Sequence, residues 1–161
     1  MKIRSTLIYI FVLALCSASF GAWQLADTNR TRTAMKPAPQ EPWTREQLMA
    51  PSVLAAEINN PAVKKPVIIC IGPGALIKGS VDIGPAKEKE NLEKLRKELD
   101  RLPKDSDIVI YCGCCPFDHC PNIRPAFTLL NEMKFTDAHL LNIEHNIRAD
   151  WVDKGYPQEK P

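Results

Sequence analysis

Four cysteines lie close together in the second half of the chain, and a cysteine thiolate can act as a nucleophile or as a metal ligand. Cys112, Cys114, Cys115 and Cys120 fall within nine residues. An apolar, β-branched run ends where the cluster begins, and a helical pattern opens near Pro121. Free backbone N–H groups and the helix dipole stabilise a thiolate at such a junction. The pattern therefore indicates a sulfur nucleophile or a persulfide carrier.

Two further residues of this region are suited to hold an anionic substrate. Gly113 begins the run of loop amides, and Arg124 adds a fixed positive charge in the first turn of the helix. Cys115 and Cys120 are spaced to close a reversible disulfide, and Cys112 with Cys115 forms a Cys-x-x-Cys pair that permits redox chemistry. The candidate catalytic residues are thus the three cysteines, and Gly113 and Arg124 are candidate substrate-binding residues.

The same loop also permits a metal site. Soft ligands at close spacing suit Zn²⁺ or Cu(I), and the candidate ligands are Cys112, Cys115, His119 and Cys120. Structural zinc sites usually gather two separated pairs of ligands, whereas these four residues share one loop. The first hypothesis therefore has no cofactor, and a zinc or copper site is the alternative. Cys114 is expected to be a bystander.

The surrounding residues predict strands that alternate with helices. Continuous apolar, β-branched runs are typical of strands covered on both faces, and a leucine stripe beside a charged face is typical of a helix. Predicted strands cover 67–71, 108–111 and 138–143, and predicted helices cover 44–49, a segment after Ser52, 87–102, a segment after Pro121 and a short one at Trp151. This alternation predicts an α/β domain with a parallel sheet, whose active site lies at the carboxyl ends of its strands. Cys112 follows such an end, whereas Cys70 is expected in the core.

The amino-terminal residues are typical of targeting and tethering segments. Residues 1–22 combine a basic start, an apolar core and small residues at candidate cleavage points, as in a bacterial-type secretory signal peptide. An uncleaved anchor and lipidation at Cys16 are alternatives. Residues 23–42 are polar and proline-containing and predict a flexible linker, so that 43–161 form one domain. We expect a periplasmic or otherwise exported protein whose only membrane contact is the amino-terminal segment.

The charge balance argues against a nucleic-acid partner. The chain carries 21 basic and 19 acidic residues, and removal of residues 1–22 takes away Lys2 and Arg4 and no acid. The remainder is formally neutral, whereas nucleic-acid binders normally show a basic excess.

Several motifs resemble the rhodanese-like family, over about residues 43–157. The segment 108–112 is similar to the family's strand that ends in the nucleophilic cysteine. The segment 129–135, and Trp151 followed by Gly-Tyr-Pro at 155–157, resemble its closing region. The resemblance implies a single domain with a roughly five-stranded parallel sheet flanked by helices. It also implies transfer of sulfane sulfur from a small donor such as thiosulfate to a thiol acceptor, through a cysteine persulfide.

The loop departs from the family pattern, in which fewer residues separate the nucleophile from its helix. Eight residues, 113–120, follow Cys112 here. Strand register favours Cys112 as the nucleophile, and counting back from the helix favours Cys115. The residues at 70–72 replace an Asp-Val-Arg-like stretch that is usual in active members. The leading hypothesis is an exported sulfur carrier or sulfurtransferase, and a non-enzymatic metal or thiol-redox module and an inactive interaction domain are the alternatives.

Overall fold

The structure, a computed structural model, describes residues 40–160. This part of the chain contains five strands and three α-helices. The strands are Leu48–Met49 (β1), Val67–Cys70 (β2), Val81–Asp82 (β3), Ile108–Tyr111 (β4) and Ala138–Leu141 (β5). The α-helices are Pro51–Asn59 (α1), Lys89–Leu99 (α2) and Ile123–Glu132 (α3), and a 3-10 turn at Phe117–His119 and a π-helical turn at Arg148–Val152 complete the elements.

All five strands are parallel and form one sheet in the order β1-β5-β4-β2-β3. Strand β4 is therefore central, with β5 on one side and β2 on the other. Parallel strands place all their carboxyl ends at one edge, where ligand sites of such sheets are found. The prediction of an α/β domain with a five-stranded parallel sheet flanked by helices is confirmed.

Strand β4 has every residue buried because both faces of the sheet are covered. Ile108 and Ile110 face one layer together with Cys112, and Val109 and Tyr111 face the other. The Tyr111 hydroxyl accepts hydrogen bonds from the N–H groups of Leu76 (3.0 Å) and Ile77 (3.2 Å). Consecutive residues of the central strand thus serve different layers, as the two-residue period of a strand requires.

The helices bury the faces that their sequence patterns predict. In α2, Leu95 and Leu99 are fully buried against the sheet, and the charged residues occupy the other side. The helix is shorter than the predicted 87–102, although Leu102 still packs on the same core. In α3, Ile123, Phe127 and Leu130 form the buried face.

The predicted helix at 44–49 is wrong, because this segment turns into strand β1. The hydrogen bond expected of a capping box does form, from the Thr44 N–H to Gln47 Oε1 at 3.0 Å. The next residues, however, pair with β5: the N–H of Leu140 donates to the Gln47 carbonyl at 2.8 Å. Without β1, strand β5 would be an edge strand with unpaired N–H groups. Pairing those groups stabilises the chain more than one local capping contact does. The short strand β3 was not predicted either.

The predicted signal segment 1–22 and most of the predicted linker 23–42 lie outside the described residues. Of that linker, Glu41 and Pro42 contact the domain directly. The Glu41 carboxylate binds Arg124 (2.6 Å), and the Pro42 carbonyl accepts a hydrogen bond from Asn131 (2.6 Å). Among residues 40–160, no helix combines the length and the apolar character that crossing a bilayer requires.

Candidate active site

Residues 112–122, which we call the cysteine loop, follow the central strand β4 and lead through a 3-10 turn into helix α3. Two backbone hydrogen bonds fix it to the chain that follows β5. The Phe117 N–H donates to the Ile143 carbonyl at 2.9 Å, and the Ile147 N–H donates to the Gly113 carbonyl at 3.0 Å. The loop is therefore fixed at Gly113 and at Phe117, at the carboxyl edge of the sheet.

Three sulfur atoms meet in this loop. The Sγ atoms of Cys112, Cys114 and Cys120 all lie within 4.8 Å of one another, and we call these residues the thiol trio. The Cys112 and Cys114 sulfurs are 3.3 Å apart. Cys112 and Cys120 are buried, whereas Cys114 is exposed. None of the three forms a disulfide, and the trio reaches from the core to the surface.

The surroundings of Cys112 favour its thiolate. The Cys120 thiol has the largest effect, and with the Cys114 backbone N–H and the Asn122 side chain it lowers the pKa of Cys112 to about 5 against the opposing effect of burial. The same contact raises the pKa of Cys120 strongly. Although Cys114 is exposed, the partial desolvation of its thiol, and then the neighbouring sulfurs, raise its pKa to about 12. One negative charge, centred on Cys112, is thus held between two protonated thiols.

Asn122, which the sequence did not single out, contacts the Cys112 sulfur. Its Nδ2 donates to Cys112 Sγ at 3.4 Å, and its Oδ1 accepts a hydrogen bond from the Lys87 N–H at 3.1 Å. The second bond fixes the orientation of the amide, so that the donor nitrogen faces the sulfur. The only sequence signal was an amide residue at the start of the helix, where a capping role is the ordinary expectation; Asn122 makes no such capping bond.

Two glycines of the site are required by space. A Cβ added to Gly72 would lie 2.6 Å from the Cys112 Sγ, and one added to Gly113 would lie 2.6 Å from the Cβ of Ile147. The sequence did not indicate that Gly72 would lie against the Cys112 sulfur. Gly113 was expected to supply an amide, yet the amide that contacts the Cys112 sulfur is that of Cys114.

The guanidinium of Arg124 is engaged away from the sulfurs. It donates to Glu41 Oε1 at 2.6 Å and to the Asp118 carbonyl at 2.8 Å. Its Cζ also lies 5.7 Å from the centre of the Trp43 ring. In this arrangement Arg124 joins the loop to the segment before β1, and an anion would have to compete with Glu41 for it.

Of the four residues predicted as alternative metal ligands, only Cys112 and Cys120 belong to the group of mutually close sulfurs. The His119 imidazole contacts the Asp118 carboxylate at 2.7 Å. The Cys115 sulfur lies 3.4 Å from that of Cys114, and Cys115 is half-buried against the core. The group of mutually close sulfurs contains Cys114, which the sequence treated as a bystander, in the place of Cys115 and His119.

Fold and site together define an α/β protein with a cluster of thiols at the carboxyl edge of a five-stranded parallel sheet. No protein-family model matches the chain, and no curated protein matches it in sequence.

Among solved structures the chain is similar to EanB. The wild-type EanB structure matches with a TM-score of 0.51 and 17% sequence identity, over 71% of this chain and 27% of EanB. A cysteine-to-serine variant of EanB in complex with hercynine matches with a TM-score of 0.50 and 17% identity over the same shares. A third structure, another variant with hercynine, gives 0.52 and 18%, over 75% of this chain and 29% of EanB. The chain therefore shares a fold with somewhat more than a quarter of EanB's length.

Proposed function

We propose that this chain is an exported rhodanese-like protein that carries sulfane sulfur as a persulfide on Cys112. One observation carries the proposal: the Cys112 sulfur sits at the carboxyl end of the central strand, 3.4 Å from the Asn122 amide nitrogen and 3.3 Å from the Cys114 sulfur. A sulfur nucleophile needs a thiolate at neutral pH, and the pKa of about 5 supports that state.

In the proposed loading step the Cys112 thiolate attacks the outer sulfur of thiosulfate. A sulfur–sulfur bond forms at Cys112, the sulfur–sulfur bond of thiosulfate breaks, and sulfite leaves with the bonding electron pair. The persulfide anion that results keeps the charge of the original thiolate. The Cys114 amide and the Asn122 amide, which already hold that charge, would hold the product as well.

Unloading can follow two routes. An external thiolate can attack the outer sulfur, which forms a new persulfide and returns the Cys112 thiolate. Alternatively, Cys120 can attack the inner sulfur, which forms a Cys112–Cys120 disulfide and releases the outer sulfur as hydrogen sulfide. In the second route the two cysteines are oxidised and the sulfane sulfur is reduced, so a later reductant must restore the thiols.

Two lines of support come from outside the loop. The motifs at 108–112 and 151–157 resemble those of rhodanese-like proteins. EanB, with which the chain shares a fold over part of EanB's length, has been solved as a cysteine-to-serine variant in complex with hercynine.

Mass spectrometry of the intact protein tests the proposal. Reduced, anaerobic protein incubated with thiosulfate, polysulfide or glutathione persulfide should gain the mass of one sulfur atom. Cys112→Ser should gain none, and Cys115→Ser should gain as much as the wild type. If Cys115→Ser alone loses the adduct, the nucleophile is misassigned. If the wild type takes sulfur from none of the three donors, the transferase proposal fails and an inactive interaction domain gains support.

A further inference from the structure

We propose that the thiol trio of Cys112, Cys114 and Cys120 is also a binding site for one Cu(I) ion. The three Sγ atoms lie within 4.8 Å of one another. Metal–thiolate bonds are about 2.3 Å long, so two sulfurs that share an ion are separated by at most about 4.6 Å. The trio is therefore assembled before any ion arrives and needs only a small adjustment to surround one.

The donor set selects a soft ion of low coordination number. The group consists of sulfur alone, and thiolates favour Cu(I), Zn²⁺ and iron–sulfur clusters over hard cations. Structural Zn²⁺ almost always takes four ligands. The side-chain amide of Asn122 turns its nitrogen toward Cys112, since its oxygen is bonded to the Lys87 N–H. It can stabilise a thiolate ligand but cannot serve as a fourth one. The Cys115 sulfur lies 3.4 Å from that of Cys114 but does not belong to the group of mutually close sulfurs, and three sulfurs suit Cu(I).

The three sulfurs of the site differ in their access to solvent. Cys112 and Cys120 are within 1% of complete burial, whereas Cys114 is exposed. An ion can therefore be received at Cys114 and passed inward to the two buried sulfurs. The hydrogen bonds from Phe117 and Ile147 hold the loop at the sheet edge, and this reduces the ordering that binding would otherwise require.

Charge and electrons balance without an added reagent. The ion enters as Cu(I) and stays Cu(I), so no electron is transferred. Each cysteine that becomes a ligand through its thiolate releases its proton to the solvent.

The inference does not depend on sulfur transfer, although both use Cys112. A sulfur atom bound to Cu(I) is no longer free to attack a sulfane donor. Copper and sulfane sulfur should therefore compete, and Cu(I)-loaded protein should fail to gain the sulfur mass that the reduced protein gains.

The test is a Cu(I) competition titration of the reduced, anaerobic protein against bicinchoninate, with two adjacent substitutions compared. Wild-type protein should bind one Cu(I) per chain. Cys114→Ser should weaken binding by more than the about 10- to 100-fold that loss of an outer-shell contact costs. Cys115→Ser, the matched neighbour outside the trio, should bind within about twofold of the wild type, well below that range. Circular dichroism checks that both variants fold, and X-ray absorption should show sulfur ligands only.

Several outcomes would overturn the inference. Equal losses in Cys114→Ser and Cys115→Ser would mean that copper binds the loop without selecting the trio. Full affinity in Cys114→Ser would remove Cys114 from the site. A parallel titration with Zn²⁺ that gives tight one-to-one binding, in protein that does not extract Cu(I), would replace the copper assignment. Sulfur loading can succeed or fail independently of each of these results.

Discussion

Two cysteines end neighbouring strands of the sheet and have opposite properties. Cys70 is the last residue of β2, Cys112 follows β4, and their exposed fractions are 0% and 1%. Burial raises the pKa of Cys70, whose Sγ donates to the carbonyls of Gly74 (3.4 Å) and Gly72 (3.7 Å). The pKa of Cys112 falls to about 5, because the Cys120 thiol and nearby N–H groups donate to it.

The difference shows that burial does not decide the reactivity of a cysteine at this edge. Burial opposes the charged form at both positions. What differs is the balance between burial and hydrogen bonding: at Cys70 burial outweighs the contacts with Gly72 and Tyr111 that lower the pKa, whereas at Cys112 the contacts with Cys120, Cys114 and Asn122 outweigh burial.

Removal of each sulfur in turn should have unequal effects on thiolate content. With a pKa of about 5, Cys112 is more than about nine-tenths thiolate at pH 7. Cys112→Ser should therefore abolish the low-pH step in a titration of ultraviolet thiolate absorbance, whereas Cys70→Ser should leave that step in place. A low-pH step that survives in Cys112→Ser would assign the thiolate to another residue.

The opposite pKa shifts of Cys112 and Cys70 should also affect how the free energy of unfolding depends on pH. Between about pH 5 and the ordinary thiol pKa of about 8.5, native Cys112 has lost a proton that the unfolded chain keeps. The free energy of unfolding should therefore rise with pH across this window, by an amount on the order of a few kcal/mol. As pH falls through about 5, the contribution is lost.

Urea denaturation at several pH values measures the effect. Cys112→Ser should flatten the rise relative to the wild type. Cys70→Ser should not, because a raised pKa in the native state acts only above the ordinary thiol range, where the unfolded chain ionises first and stability falls. If the free energy of unfolding rises equally with pH in all three proteins, the assignment of the low pKa to Cys112 is contradicted.

Gly72 lies between the two cysteines and should not tolerate a side chain. Gly72→Ala would place a Cβ 2.6 Å from the Cys112 sulfur, and the overpacking should lower the free energy of unfolding by about 1–3 kcal/mol. Gly74→Ala is the control: its Cβ meets nothing within 4 Å, although its φ of +80° costs about 1–2 kcal/mol. Only Gly72→Ala should also change the Cys112 titration, and an unchanged titration would show that the sulfur is free to move aside.

The smallest effect is expected at Asn122. Asn122→Asp keeps an oxygen for the Lys87 N–H but replaces the donor to Cys112 with a negatively charged group, so the pKa of Cys112 should rise by about one unit. Asn131→Asp makes the same charge change near the other end of α3 and should leave that pKa unaltered. Equal pKa values in the two variants would mean that Asn122 does not act on the thiolate.

Sequence reasoning found the elements whose patterns are strong within the segment itself. The run at 67–71 and the leucine stripe of α2 predicted a strand and a helix, and Cys112 was placed at a strand end. The two-residue strands β1 and β3 were missed because they exist through pairing with β5 and β2, not through their own composition.

The site was harder to predict because its contacts join distant segments. The Asn122 side chain links Cys112 to Lys87, and Gly72 faces a sulfur forty residues away in sequence. Cys114 and Cys115 are adjacent in sequence, and only the path of the loop determines that Cys114 joins Cys112 and Cys120. The ion pair of Arg124 with Glu41 also lies across a gap that no local pattern reveals.

The alternation along β4 also limits how this sequence can change in length. Tyr111 directs its hydroxyl to one layer of the domain, and Cys112, the next residue, lies in the other. An insertion of one residue within β4 would exchange the two layers, so that a phenol would replace the thiolate among the donors of the cysteine loop. Chain-length variants of β4 that keep the thiolate should therefore differ by two residues.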